Sequence, residues 1–415
     1  MKEIFNTYIK NNLGLINLFG KISGKFLFLL LTSFFAYKLS IRAFASFAIF
    51  WTAIRLFTFF SANNLYIIYF NQVRLSLLEE KKWPLEVSVN IIITFIVFGT
   101  ISTITSYFLF KNAIITLMVF PILFLFLIIR NISEFSKSDN SVYLSIFIED
   151  FLFYLLFFIS GVVSIYILNS LIGIVIALLF STFLTAIISI VLFKRKFNLS
   201  IKSFKFKFKY FSKKTFRLGV NYTFLRGNEF LSSFGVRYLG QIYFGDLFVS
   251  YAHIMYQFYN IFALITMSVI SGLQSKITVT SSHKFNKFFI EASYSKILKT
   301  IFPFILTSIL IVFFFNVQIL NLVFPKYVQF SVLLVKVSMV SLLLVIIQPL
   351  VFILIYNNKM TNLRMLNSIQ YFIISLVYLY PLYFPKVNEE YWLLLVMTIS
   401  IVVQGLFSFK NYKQV

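Results

Sequence analysis

The 415-residue chain has no cysteine and only two histidines, His253 and His283. Disulfides, cysteine-ligated metals and thiol nucleophiles are excluded, and two histidines are too few for a histidine-based metal site. Charge is scarce too. Charged residues make up 12% and hydrophobic residues 60%, where soluble domains have about a quarter and about a half. Acids are the rarest part of that charge, with 13 Asp and Glu against 37 Lys and Arg and a net charge of +24. Glycine is thin at 13 residues, where average usage near 7% gives about 29 in this length. Catalytic signatures are missing: there is no Gly-rich phosphate loop, no His-Glu-x-x-His and no Gly-x-Ser-x-Gly. No loop is long enough for a separate catalytic domain. The start, Met1-Lys-Glu-Ile-Phe, lacks the features of a cleaved signal peptide. The first apolar segment is therefore expected to stay in the mature protein.

High apolarity excludes a disordered chain. So apolar a sequence also argues against a nucleic-acid-binding domain, which carries its basic stripe on a soluble fold. What remains is an all-α polytopic membrane protein whose positive charge sits mostly in loops. The 57 Phe, with plentiful Ile, Asn, Lys and Tyr, are explained by an AT-rich gene without any aromatic-binding role.

A spanning helix needs about 20 mostly apolar residues. About twelve such stretches occur, at 13–37, 44–70, 87–110, 113–130, 141–166, 170–193, 217–239, 246–272, 299–323, 329–356, 366–384 and 391–409. The short link at Lys111-Asn112 is the least distinct break. An even number of spans puts both termini on one side. Outside the spans, the other side holds only Lys38, Arg42, Lys111, Lys326 and Lys386, and nearly all remaining Lys and Arg lie on the side of the termini. The positive-inside bias places both termini in the cytoplasm.

Lys194 to Arg217 is the longest basic loop and has no acid. It divides the chain into six-span halves, 1–193 and 217–415, joined by a linker over 194–216. Such a loop anchors topology, and it also attracts anionic membrane lipids at about 1 kcal/mol per charge. The halves share a faint repeat. Leu39-Ser40 followed by Phe44-Ala45 recurs as Leu239-Gly240 followed by Phe244-Gly245, as in transporters built from parallel repeats.

Six cations fall within spans: Lys21, Lys25, Arg55, Arg226, Arg237 and Lys336. Each costs about 2.5–3.5 kcal/mol at mid-membrane on insertion scales, so such residues normally face a bundle interior or wet cavity. Lys25 and Arg55 lie deepest. Arg226 and Arg237 are three turns apart on one face. Lys21, Arg237 and Lys336 are close enough to span ends to snorkel. Three acids, Glu149, Asp150 and Glu229, lie at similar depth. They serve either proton coupling or structural pairing, and Glu229 is placed to pair with Arg226. His253 reads as a helix–helix hydrogen-bonding residue. Cations outnumber acids in the spans, which favours an anionic permeant. No cofactor is called for, and coupling to a proton or sodium gradient stays open.

Two six-span halves, a basic central loop, the repeated Leu-[Ser/Gly]-x3-Phe-[Ala/Gly] element and Leu320-Asn-Leu-Val-Phe-Pro-Lys-Tyr at the end of span nine together resemble a known family. It is the multidrug/oligosaccharidyl-lipid/polysaccharide exporter superfamily, and within it the Wzx-type O-antigen flippases. Pro325 stands where the family element usually has Gly. The resemblance implies two lobes around a central cavity, and an undecaprenyl-diphosphate-linked oligosaccharide as substrate. It also implies an O-antigen polymerase and a chain-length regulator as partners. In related peptidoglycan-precursor flippases, cations of the first two spans face the cavity, and Lys25 and Arg55 are comparable. Arg226, Arg237 and Lys336 are binding candidates on charge alone. Two other classes stay open. An O-antigen polymerase typically needs a sizeable outer loop, and none is visible. A drug or cation antiporter of the same superfamily calls for more acids than cations inside.

Overall fold

A computed structural model of the chain describes residues 2–62, 85–138, 142–197, 232–280, 287–356, 360–384 and 386–412. These residues are almost entirely helical, and none is in a strand. The helices are α1 (Lys2–Lys38), α2 (Ile41–Ala62), α3 (Leu85–Phe110) and α4 (Ala113–Ser138). The short α5 (Val142–Ser145), a π-helical segment (Ile146–Leu152) and α6 (Phe153–Leu168) then run on without a break. After α7 (Leu171–Phe197) come α8 over 232–244 and α9 (Asp246–Thr280). Helix α10 (Lys287–Val323) leads through a 3-10 turn (Pro325–Phe330) into α11 (Ser331–Tyr356), α12 (Met360–Tyr383) and α13 (Glu389–Tyr412). Counting α5, the π segment and α6 as one span, each of the twelve expected stretches coincides with a helix. Residues 63–70 of the second stretch, residue 141 of the fifth, residues 217–231 of the seventh and the linker 194–216 beyond Phe197 lie outside the described residues.

Seven of the described helical stretches are long and apolar enough by themselves to cross a membrane. The others carry polar and charged residues, such as Lys21 and Lys25 in α1 or Asp246, His253 and Gln257 in α9. Side-chain distribution makes the same point. In α7, Ser181, Thr185 and Ser189 are fully buried, while Ile176, Phe180, Phe183, Ile187 and Ile190 are exposed. The buried hydroxyls bond carbonyls four residues back, at 2.7, 2.7 and 2.6 Å. Small hydroxyl residues inside and large apolar ones outside suit helices whose solvent is lipid; in water so broad an apolar surface is a liability.

The helix breaks follow local backbone chemistry. At the Lys111-Asn112 link, Lys111 has φ +48°. Asn112 then caps α4, its Oδ1 accepting from the backbone N–H of Ile114 at 3.0 Å and Ile115 at 3.1 Å. Asn169, at φ +40°, closes α6 in the left-handed conformation. Gly245, at φ +86°, turns α8 into α9. The two copies of the sequence repeat thus place their break differently: at Leu39-Ser40 in one and at Gly245 in the other.

The chain divides into two compact units. One comprises Met1–Ile22, Thr32–Ile49 and Leu231–Val415; the other comprises Ser23–Leu31 and Phe50–Phe230. In the first, α11 packs against α9, α10 and α13, and α12 packs against α13. In the second, α7 packs on α4 and α6, and α3 on α4.

Candidate functional site

Among the described residues, the second unit holds the densest set of intramembrane charges. Its frame is an aromatic stack that ties α1, α2 and α6 together. Phe28 stacks on Trp51 with ring centroids 4.5 Å apart, and Trp51 stacks on Phe157 at 5.6 Å with an interplanar angle of 12°. Lys25 lies three residues before Phe28, and Arg55 four residues after Trp51. Helical spacing therefore puts both cations on the stacked faces, one turn from the rings. Both side chains are half-buried.

Tyr154 is the hub. Its ring lies 5.7 Å from that of Phe28 and 5.7 Å from the Lys25 ammonium. Its hydroxyl feels the charges of Arg55, Asp150 and Glu149. Glu149 and Asp150 sit within the π-helical segment, a geometry that recurs at functional sites. Ser133 of α4 donates to Glu149 Oε2 at 2.7 Å and also bonds the Ser145 hydroxyl. Both serines are fully buried, so the hydroxyl that holds the half-buried acid is itself shielded from solvent. The close approach of α1 to the π segment depends on Gly24, which meets the Asp150 backbone and the Tyr154 ring.

Four sequence candidates, Lys25, Arg55, Glu149 and Asp150, are thus brought together around Tyr154. Arg237 and Lys336 belong to the first unit. Arg237 is 1% exposed. Its Nη1 donates to the carbonyl and the hydroxyl of Ser233, both at 2.6 Å, and its guanidinium lies 4.6 Å over the Tyr256 ring. Tyr378 donates to the Ser232 carbonyl at 2.8 Å beside it. Lys336 lies 3.6 Å from Glu390 and 5.2 Å over the Tyr391 ring. Arg226 and Glu229 lie outside the described residues. His253 is fully buried and edge-on to Phe44 and Phe47 of α2, while its 3.2 Å hydrogen bond to the Gln257 amide runs within α9. Sequence reasoning did not single out Ser133, Ser145, Tyr154 or Gly24. Only Gly24 carried a signal, a rare glycine between Lys21 and Lys25.

No protein-family model matches the chain, and no curated protein matches it. Solved structures do. The multidrug transporter DinF-BH of the MATE family superposes with a TM-score of 0.71 at 15% identity over 98% of this chain and 95% of that one. A MATE transporter of the MOP superfamily in its outward-facing conformation gives 0.68 at 14% identity, over 98% and 94%. The fold is thus the one these two MATE structures share. The lipid II flippase MurJ, inward closed, gives 0.67 at 16% identity, over 96% and 87%, so the chain has the fold common to MATE transporters and this flippase.

Proposed function

We propose that the chain is a flippase that carries an undecaprenyl-diphosphate-linked polysaccharide repeat unit across a bacterial inner membrane by alternating access. On this reading residues 1–193 and 217–415 are two six-helix lobes, 194–216 is their cytoplasmic linker, and both termini are cytoplasmic. The observation that carries it is the gathering of Lys25 and Arg55 around Tyr154 inside the membrane. Two cations at that depth are costly unless an anion repays them, and Arg in particular suits a bidentate phosphate contact. Glu149 and Asp150 are their counter-charges until substrate phosphate takes that place. The MurJ neighbour, whose substrate is named as lipid II, supports a lipid-linked cargo.

A drug or cation antiporter is the second reading, favoured by the MATE neighbours and the two carboxylates. Removal of the gene separates the two. A flippase defect leaves single lipid-linked repeat units on the cytoplasmic face and abolishes the surface polysaccharide. An antiporter defect leaves the polysaccharide intact and raises drug sensitivity.

A further inference from the structure

The corner between α1 and α2, residues 33–47, is bonded to a stretch of chain more than 200 residues away. Lys326 Nζ, at the start of the 3-10 turn, donates to the carbonyls of Tyr37 at 2.7 Å and Leu39 at 3.2 Å. The ammonium also lies 5.9 Å over the Tyr37 ring. Ser33 donates to the carbonyl of Val323, and Ser250 to that of Ile41 at 3.3 Å. Behind these bonds Phe44 and Phe47 set their edges against His253, and Phe44 lies 6.1 Å from the Tyr327 ring. The corner therefore groups with the helices after residue 231, while the next stretches of the same two helices, Ser23–Leu31 and residues from Phe50 on, group with the other unit.

The bonding has a clear cause. The last carbonyls of a helix have no partner within it, and a cation near that end is favoured by the helix dipole. α1 ends at Lys38, and its free carbonyls are met by an ammonium from the far half of the chain. Lys326 is itself exposed, so these bonds compete with water and are cheap to break. The aromatic contacts beneath are buried.

We infer that the α1–α2 corner is a latch that closes this end of the protein. Lys326 fastens it by capping the carbonyl end of α1, and opening this end to solvent begins with release of that cap. The latch deepens the alternating-access reading and rests on it, but it is tested without a substrate.

The chain has no native cysteine, so single introduced thiols report access cleanly. Ala48→Cys, with Ala45→Cys as a second reporter, places a thiol on α2 beside the buried Phe44–His253 contact; both alanines are fully buried. Purified full-length protein is reacted with a membrane-impermeant maleimide. Adding Lys326→Met is expected to speed labelling of either reporter by roughly two- to fivefold, the population shift that a lost helix-terminus cation produces. Lys326→Arg, which keeps a donor cation, stays near the parent rate, and Ser33→Ala gives a smaller rise. Labelling that does not change in Lys326→Met, or that rises equally in Lys326→Arg, overturns the latch. Lipid binding at Lys25 and Arg55 is a separate measurement, so failure of one idea is distinguishable from failure of the other.

Discussion

Gly24 brings α1 against the main chain of Asp150. A methyl group at position 24 would overlap the Asp150 carbonyl oxygen and press on the Tyr154 ring. One missing Cβ therefore sets how near Lys25, the next residue, comes to the acids of the π segment.

Gly24→Ala is predicted to destabilise the protein by about 1–3 kcal/mol through overpacking and to weaken substrate binding. Gly99→Ala is the control. There the nearest atoms to a new methyl are in the Phe95 and Phe120 rings, at 3.2–3.6 Å, and the helix-propensity gain of about 1 kcal/mol offsets the crowding. Thermal unfolding in detergent measures both. Equal losses would remove Gly24 from the account.

Ser133 is predicted to matter through Glu149. Ser133→Ala removes the 2.7 Å bond to the half-buried carboxylate, a loss of about 0.5–1.5 kcal/mol. The loss should shrink when Glu149→Gln is already present. A double-mutant cycle reads that coupling, and strict additivity would break the link.

Arg237 is predicted to be structural. Its guanidinium is fixed by Ser233 and by the Tyr256 ring, a geometry that an ammonium does not reproduce. Arg237→Lys should lower stability by about 1–2 kcal/mol while leaving lipid binding by the folded fraction close to the parent. A selective loss of binding without loss of stability would make it a substrate contact.

Glu389, the first residue of α13, supplies a pH test. Burial is the main cause that lifts its carboxyl above the usual carboxylate range, and the neighbouring Glu390 adds to it. A folded-state pKa above the unfolded one means that the fold holds this proton more tightly. The stabilisation is full below the unfolded value and is lost as pH rises through the folded value. Glu389→Gln should therefore flatten the fall in melting temperature across the weakly acidic range. A mutant as pH-dependent as the parent would contradict this.

Much of the fold was legible because lipid imposes a simple rule on sequence: runs of about 20 apolar residues become helices. Even the indistinct break at Lys111-Asn112 has a cause visible in one residue, since Asn is a strong cap. Depth in a span was also enough to single out Lys25, Arg55, Glu149 and Asp150. Their meeting at Tyr154 was not legible. A π segment shifts the helix register by one residue without changing composition, so the faces shown by Glu149 and Tyr154 cannot be counted from an α-helical wheel. Ser133 and Tyr154 are ordinary residues that matter through position alone. The bond from Lys326 to Tyr37 spans 289 residues, and no local pattern encodes it. Depth set Arg237 below Lys25, but what holds Arg237, the Ser233 and Tyr256 contacts, was not legible.

The central claim is that Lys25 and Arg55 bind the phosphates of a lipid-linked substrate. The most direct measurement is binding of undecaprenyl diphosphate, with undecaprenol as the uncharged comparison, to purified parent, Lys25→Ala and Arg55→Ala proteins by native mass spectrometry. The parent should prefer the diphosphate, and each variant should lose at least about tenfold of that preference, or about 1.4 kcal/mol. Equal binding of the two lipids by the parent, or a preference untouched by both substitutions, would contradict the account.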